Sequence, residues 1–250
     1  MKKLFILLAV LIIMIPQVVQ ADLVSFRVGF FIPRAESDLW ATEFENMDFI
    51  KSDFQASVFS FAYEYFLTNE FSLVFGIEGY TKQKLGSYMD FVSEEIDGEV
   101  WAFDYGQGFP VSHVFSVSST PIQVSLKFLP LGRRGRLLPY FGGGIGVYLW
   151  TVRLQGEMID FSDTEIFYDS SIDQDVVGYY VYQTDAREEN KLALGYHGFG
   201  GVMIPIGNRL SIDAQFKYML VKGNLSDAFQ GFEPFDLTGY QLVIGINYWF

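Results

Sequence analysis

The sequence contains no cysteine, only two histidines, and no long apolar run after its first 20 residues. Without cysteine there is no disulfide, no thiolate metal site and no cysteine to carry a lipid anchor. Two histidines leave few choices for histidine-based catalysis. A membrane-spanning helix needs about 20 consecutive apolar residues, so any spanning structure beyond the first segment must be built from strands.

Basic residues are also scarce, with 17 Lys and Arg against 30 Asp and Glu and a net charge of −13. Such an acidic chain does not neutralise phosphates, which argues against a nucleic-acid partner. Apolar and aromatic residues are abundant instead: hydrophobic residues make up 50%, and there are 26 Phe, 15 Tyr and 24 Gly. This composition without a spanning helix is typical of a transmembrane β-barrel.

The first 21 residues have the pattern of a cleaved signal peptide. Lys2 and Lys3 precede the apolar run LFILLAVLIIMI, and Val19-Gln20-Ala21 offers a cleavage site. A retained N-terminal anchor is the alternative, but the apolar run is shorter than the roughly 20 residues that spanning requires. We therefore predict export, with residues 22–250 forming a single barrel domain.

Period-two alternation of apolar and polar residues predicts eight strands. The clearest are 23–33, 210–220 and 239–250, and the others lie at about 54–67, 71–81, up to 128, 138–153 and 192–205. In the glycine-rich fifth strand the alternation predicts two faces, with Phe141, Ile145, Val147 and Leu149 outward and Gly142, Gly144 and Gly146 inward.

The connections between these strands alternate in length. Short links lie at 68–70, 131–137 and 207–209, whereas long links lie at about 34–53, 82–118, 155–191 and 222–236. This alternation predicts an all-β fold: an up-and-down antiparallel transmembrane barrel of eight strands, with short periplasmic turns and long extracellular loops.

The alternation does not by itself say which face is outside, because a soluble lipocalin-like barrel alternates as well. The polar face is rich in Gly, Ser, Ala and Gln with few charges, which suits a narrow lumen rather than a water-exposed exterior. Aromatic residues cluster toward the strand ends, where interfacial girdles lie. We therefore expect the apolar face to contact lipid.

Four charged residues fall on the inward face at similar heights near the periplasmic ends: Arg27, Glu64, Lys127 and Asp213. Arg27 and Glu64 lie on neighbouring strands. Buried charges must pair or stay hydrated. We predict a lumenal ion-pair layer that blocks continuous water flow, with a gate or conductive path as the alternative.

Two segments carry a family resemblance. GYQLVIGINYWF resembles the C-terminal signal of bacterial outer-membrane proteins, and LLPYFGGGIGVYLW resembles a strand of OmpA/OmpW-like outer-membrane β-barrel domain proteins. The resemblance implies residence in a Gram-negative outer membrane, contact with its lipid and lipopolysaccharide, and recognition by the barrel-assembly machinery. The residues implied in that assembly signal are Tyr240, Tyr248, Trp249 and Phe250.

Motifs for catalysis or metal binding do not fit the chain. His113 is followed by Val114-Phe115 and His197 by Gly198-Phe199, so neither matches the His-x-Ser pair of lipid A deacylase-like barrels. The GGGIG segment precedes strand residues rather than the helix that a phosphate loop needs. Asp173-Gln174-Asp175 lacks the ligand spacing of an EF-hand. We expect no catalytic residue, no metal and no cofactor.

Three functions stay open at this point. The first is a monomeric, non-enzymatic barrel with a structural or surface-interaction role and a largely plugged lumen. The second, which an OmpW resemblance would imply, is a narrow porin-like barrel passing small or hydrophobic solutes. The third is a lipid-modifying barrel enzyme.

Overall fold

The computed structural model of the chain describes residues 22–250 apart from Tyr105, Gln107 and Ser171, so the expected signal peptide at 1–21 lies outside the described residues. The strands are β1 (Leu23–Pro33), β2 (Ala56–Phe66), β3 (Phe71–Ile96), β4 (Glu99–Phe103), β5 (Phe109–Phe128), β6 (Leu138–Asp169), β7 (Gln174–Ile206), β8 (Leu210–Gly223), β9 (Phe235–Asp236) and β10 (Gly239–Trp249). Helix α1 spans Asp38–Asn46, and 3₁₀ helices span Lys51–Phe54 and Asp227–Phe229. No helix in the described part of the chain is long and apolar enough to cross a membrane.

Eight of these strands close into a ring. The order is β1, β2, β3, β5, β6, β7, β8 and β10, and antiparallel pairing of β10 with β1 closes it. Short turns join the strands at one end of the ring, here called the turn side, and the long connections emerge at the other. The predicted eight-stranded up-and-down barrel is confirmed.

The apolar face of the strands points outward, as predicted. It forms an apolar belt around the barrel, whose exposed members include Phe26, Phe30, Phe59, Phe61, Phe75, Ile77, Ile122, Leu126, Phe141, Ile145, Leu194, Ile204, Ile212, Phe216, Leu242 and Ile244. A continuous apolar band of this kind is the lipid-facing surface of a transmembrane barrel and is foreign to water-soluble surfaces. The lipocalin-like alternative is therefore wrong.

Four strands are much longer than their alternation predicts. β3 continues to Ile96, β5 begins at Phe109, and β6 and β7 meet near residues 169–174. The expected loops at 82–118 and 155–191 are therefore largely strand. The reason is physical: beyond the belt the outer face meets water, so polar residues replace apolar ones there and the alternation fades while the hydrogen-bonded ladder continues.

The extended strands form a second, smaller ring beyond the belt. β4 pairs with residues 92–96 of β3 on one side and with β7 on the other, where Trp101 lies opposite Tyr180. The strands β3, β4, β7, β6 and β5 are thereby joined in a circle, here called the distal ring. Aromatic side chains pack within it, including Phe91 against Tyr179 with ring centroids 5.6 Å apart. The distal ring is thus a folded extension of the barrel rather than a set of loops.

The first long connection, expected as a loop at 34–53, folds over the barrel mouth. Helix α1 buries Leu39, Trp40 and Glu43, which lie on one face of the helix. Trp40 stacks on Phe235 at 5.2 Å and meets Phe54 and Phe115 edge-on at 4.8 and 5.0 Å. Its indole Nε1 donates a hydrogen bond to the Asp236 carbonyl at 3.0 Å. We call the group Trp40, Phe54, Phe115 and Phe235 the aromatic plug.

Candidate functional site in the barrel interior

The four charges predicted to lie in the lumen form two ion pairs. Arg27 Nε lies 2.9 Å from Asp213 Oδ2, and Lys127 Nζ lies 2.8 Å from Glu64 Oε2. All four residues are at most 5% exposed. Arg27 and Glu64 lie on adjacent strands, as the sequence indicates, but each is paired with a residue of another strand.

Arg27 reaches Asp213 across an intervening strand because that strand contributes a glycine. Arg27 lies opposite Gly245 of β10, and Gly245 lies opposite Asp213 of β8. A Cβ atom on Gly245 would collide with both Arg27 Cγ and Asp213 Oδ1. The absence of a side chain therefore allows two strands that are not neighbours to be joined by an ion pair.

Tyr140 connects the two ion pairs into one network. Its hydroxyl donates to Asp213 Oδ2 at 2.6 Å, and Lys127 Nζ lies 4.2 Å from the centre of its ring. The second oxygen of Glu64 accepts a hydrogen bond from Ser72 Oγ at 2.5 Å. We call this group the lower network, since it lies toward the turn side.

A third ion pair, which the sequence prediction missed, joins Lys217 and Glu78. Lys217 Nζ also donates to Gln123 Oε1 at 2.9 Å, and the Gln123 amide donates to the Tyr148 hydroxyl at 2.9 Å. Both charges are on inward-facing positions, so the alternation contained a signal for them. Lys217 follows Asp213 by four positions on β8, about 13 Å farther from the turn side. We call this group the upper network.

The two networks and the aromatic plug fill the interior at three successive heights. Two cavities lie among them, each with a volume of about 20 Å³, which is enough for about one water molecule. Glu78 lines both cavities. Its Oε2 and the amide of Gln241, which lines the cavity beneath the plug, have no protein hydrogen-bond partner. These atoms mark positions for bound water.

The two histidines have different surroundings. His197 Nε2 lies 2.7 Å from Ser125 Oγ in the lumen, whereas its Nδ1 has no hydrogen-bond partner. A serine beside a histidine is the start of a nucleophile–base pair, but a catalytic histidine is normally oriented through its other nitrogen. His113 Nε2 lies 2.7 Å from Glu43 Oε2 and thereby fastens α1 to β5. In the described part of the chain, no group of three potential ligands is placed to hold a metal ion.

The residues of the expected assembly signal occupy both faces of β10. Tyr240 and Tyr248 are exposed on the outer face, and Phe250 is exposed at the turn side. Trp249 stacks on Phe66 at 5.5 Å, and its Nε1 donates to Ser211 Oγ at 3.0 Å. The aromatic residues therefore lie near the two edges of the belt, and their role in assembly stays a prediction.

No protein-family model matches the sequence, and a comparison with curated proteins gave no match. Among solved structures, the chain is similar to Neisserial surface protein A, with 12% identity, a TM-score of 0.45, and 92% of this chain and 97% of that chain covered. It is also similar to the N-terminal β-barrel domain of Pseudomonas aeruginosa OprF, with 10% identity and a TM-score of 0.42. A third is Ail, the attachment invasion locus protein of Yersinia pestis, with 13% identity and a TM-score of 0.42. For the last two, 92% of this chain and 100% of the other are covered.

At these identities the likeness concerns the fold alone. The closed ring of eight strands confirms the expected OmpA/OmpW-like barrel at the level of the fold.

Proposed function

We propose that the protein is a non-enzymatic barrel of the bacterial outer membrane, with a sealed lumen and an interaction surface on the distal ring. The observation that carries this proposal is the contrast between the two parts of the molecule. The lumen is filled with paired charges and packed aromatic rings, whereas the distal ring extends well beyond the belt and exposes apolar side chains.

The filled lumen argues against the porin-like alternative. Three cations face three anions in the lower and upper networks, so water entering the barrel would have to displace paired and hydrogen-bonded side chains. We expect no stable conductance from the purified protein in planar lipid bilayers. A large and stable single-channel conductance would show that the lumen is a transport path.

The charge of the distal ring indicates the kind of partner. Segment 85–112 contains six Asp and Glu, segment 154–186 contains eight, and neither contains Lys or Arg. At the outer hairpin of β6 and β7, Ile166 is 72% exposed and Tyr168 is 65% exposed. Such a surface complements a basic partner that carries apolar side chains, because opposite charge steers association and buried apolar contacts give affinity.

The surface is tested with two synthetic amphipathic peptides, one of Lys and Leu and one of Glu and Leu, on protein held in lipid nanodiscs. We expect the basic peptide alone to bind, with an affinity that falls as salt is added. Ile166→Ser combined with Tyr168→Ser should weaken binding about fivefold or more, as expected for the loss of two apolar contacts.

The matched control is Leu85→Ser, which removes another exposed apolar residue of the extended strands. It should leave peptide binding unchanged. Equal losses in the two variants, or equal binding of the two peptides, would refute the assignment of the hairpin as the interaction surface.

A further inference from the structure

The turn side of the barrel contains a basic hollow that neither the lumen nor the distal ring uses. Its volume is about 790 Å³. The three short turns and the end of β10 surround it, and its lining includes Arg133, Arg134, Arg136, Arg209 and Trp249. Four guanidinium groups thus come from two different turns to one opening.

Two of these arginines are held in place by neighbouring side chains. The Arg133 guanidinium lies 4.7 Å from the centre of the Phe66 ring and donates to Asn69 Oδ1 at 3.1 Å. Arg209 donates to the Tyr248 hydroxyl at 3.2 Å. Arg134 and Arg136 are exposed on the second turn. Because guanidinium groups present a planar fork of N–H donors, such a cluster is suited to bidentate binding of an oxyanion such as phosphate.

Acidic residues at the same end are few and engaged. Asp22 accepts a hydrogen bond from the Tyr63 hydroxyl, and Glu70 accepts one from Thr68 Oγ1 at 3.1 Å. These two carboxylates keep their charge, but the four arginines that line the hollow outnumber them, in contrast to the acidic distal ring.

The position of the hollow relative to the belt indicates the source of the anion. Leu137, Leu210 and Phe250 are exposed beside it and continue the belt to its lower edge. The headgroup phosphates of the adjacent leaflet lie at this height, directly beyond the apolar part of the bilayer. A lipid whose anionic headgroup is bound here would still have its acyl chains in contact with the belt.

We propose that this hollow binds the phosphate-bearing headgroup of an anionic phospholipid in the leaflet beside the turns. Arg133 and Arg209, which neighbouring side chains hold in place, donate hydrogen bonds to the phosphate. Arg134 and Arg136 contact the headgroup from the exposed second turn. The inference requires only that the barrel spans a bilayer, so it stands apart from the sealed lumen and from the distal surface.

Fluorescence quenching by brominated lipid provides the test. Trp249 lines the hollow, whereas Trp40, Trp101 and Trp150 lie in the mouth and beyond it. The full chain is reconstituted in phosphatidylcholine vesicles, and brominated phosphatidylglycerol or brominated phosphatidylcholine is added in steps. We expect phosphatidylglycerol to quench Trp249 at lower mole fraction than phosphatidylcholine does.

Substitution of the turn arginines identifies the site. Arg133→Gln, Arg134→Gln and Arg136→Gln together should lower the apparent affinity for phosphatidylglycerol by at least about tenfold, since each basic residue near an anionic surface contributes roughly a fivefold factor. The control carries the same change of charge far from the hollow: Lys82→Gln, Lys84→Gln and Arg187→Gln. It should retain the affinity of the original chain.

Folding of each variant is checked by its heat-dependent migration on gels, and Arg209→Gln replaces the triple variant if that variant does not fold. Equal quenching by the two lipids, or equal losses in the triple variant and its control, would overturn the proposal. Competition by inorganic phosphate at millimolar concentration would also overturn it, because the hollow would then be a site for free anions.

Discussion

Each charged side chain of the lower and upper networks has one oppositely charged partner, which is held at a fixed position. Lys127 and Glu64 are almost completely enclosed, and their ion pair is supported by Ser72 and Tyr140. Removing one member of such a pair leaves the other charge buried without compensation, which costs far more than the pair contributes when it is intact. The exposed pair Arg187–Glu189 lacks this dependence.

Lys127→Met is therefore expected to lower the free energy of unfolding by about 3–5 kcal/mol, because Glu64 loses its buried partner. Urea titration of the protein refolded into lipid vesicles measures the change. Arg187→Met, which breaks the exposed pair, should change stability by about 0–1 kcal/mol. Equal effects of the two substitutions would show that the lumen is hydrated enough to solvate a free carboxylate.

The extended strands β6 and β7 are joined by an ion pair between Arg153 and Asp185. Arg153 donates two hydrogen bonds to Asp185 at 2.6 and 2.9 Å, and they hold the pKa of that carboxyl below its usual value of 3.8. Since the pKa is lowered in the folded chain, the stabilisation is present above the unfolded pKa and is lost as the pH falls through the folded one.

Arg153→Gln should move the titration midpoint of Asp185 up toward 3.8, as followed by carbon-detected NMR of the side-chain carboxyl. Asp160 serves as an internal control, because the Ser162 hydroxyl and backbone lower its pKa instead. If both midpoints moved together, the cause would be a general change in the fold rather than the Arg153 contact.

The strand elements show where sequence patterns suffice and where they fail. Alternation predicts the number of barrel strands and the short turns, because lipid on one side and a polar lumen on the other impose opposite residue types. It does not predict the ends of β6 and β7. Beyond the belt no lipid contacts the outer face, so the two faces of a strand no longer require opposite residue types. The inward charges were predictable from alternation, but their partners were not, because the Arg27–Asp213 pair depends on Gly245 in a third strand.

Helix α1 was missed for a related reason. Its buried face includes the charged Glu43, so no clear apolar stripe marks the segment as a helix. The side chain within hydrogen-bond distance of the Glu43 carboxyl is that of His113, which lies 70 positions away in the chain. Local sequence contains no sign of that partner.

Replacing residues 38–54 with a Gly/Ser linker should remove Trp40 and Phe54, two of the four rings of the aromatic plug, without opening a conductive path. The lower and upper networks would still fill the lumen below it. Combining the replacement with Arg27→Ser, Asp213→Ser, Lys217→Ser and Glu78→Ser should produce a conductance in planar bilayers. Conductance from the linker variant alone would instead make α1 the gate of the barrel.

The whole molecule is strongly asymmetric about the membrane. β7 covers about 18 residues between Gln174 and Leu192 at the edge of the belt, which at about 3.3 Å per residue and a tilt of about 40° raises the distal ring by about 45 Å. At the other end, turns as short as 207–209 protrude little.

Atomic force microscopy of the protein in supported bilayers should therefore show a tall protrusion on one face, about 45 Å high, and a low one on the other. Exchanging residues 157–183 for a short turn should reduce the taller height and leave the lower one unchanged. Low protrusions on both faces would mean that the distal strands lie down on the membrane.

The strands that build the distal ring are the same strands that cross the belt. A pull on the hairpin of β6 and β7 would therefore travel as tension along covalent backbone into the barrel, with no flexible tether to absorb it. The ladder bonds that join this hairpin to β5 and β8 run perpendicular to the pull, so many of them would be loaded in shear at once. Because the same strands cross the bilayer, a partner bound at the hairpin would be anchored against flow by the bilayer itself.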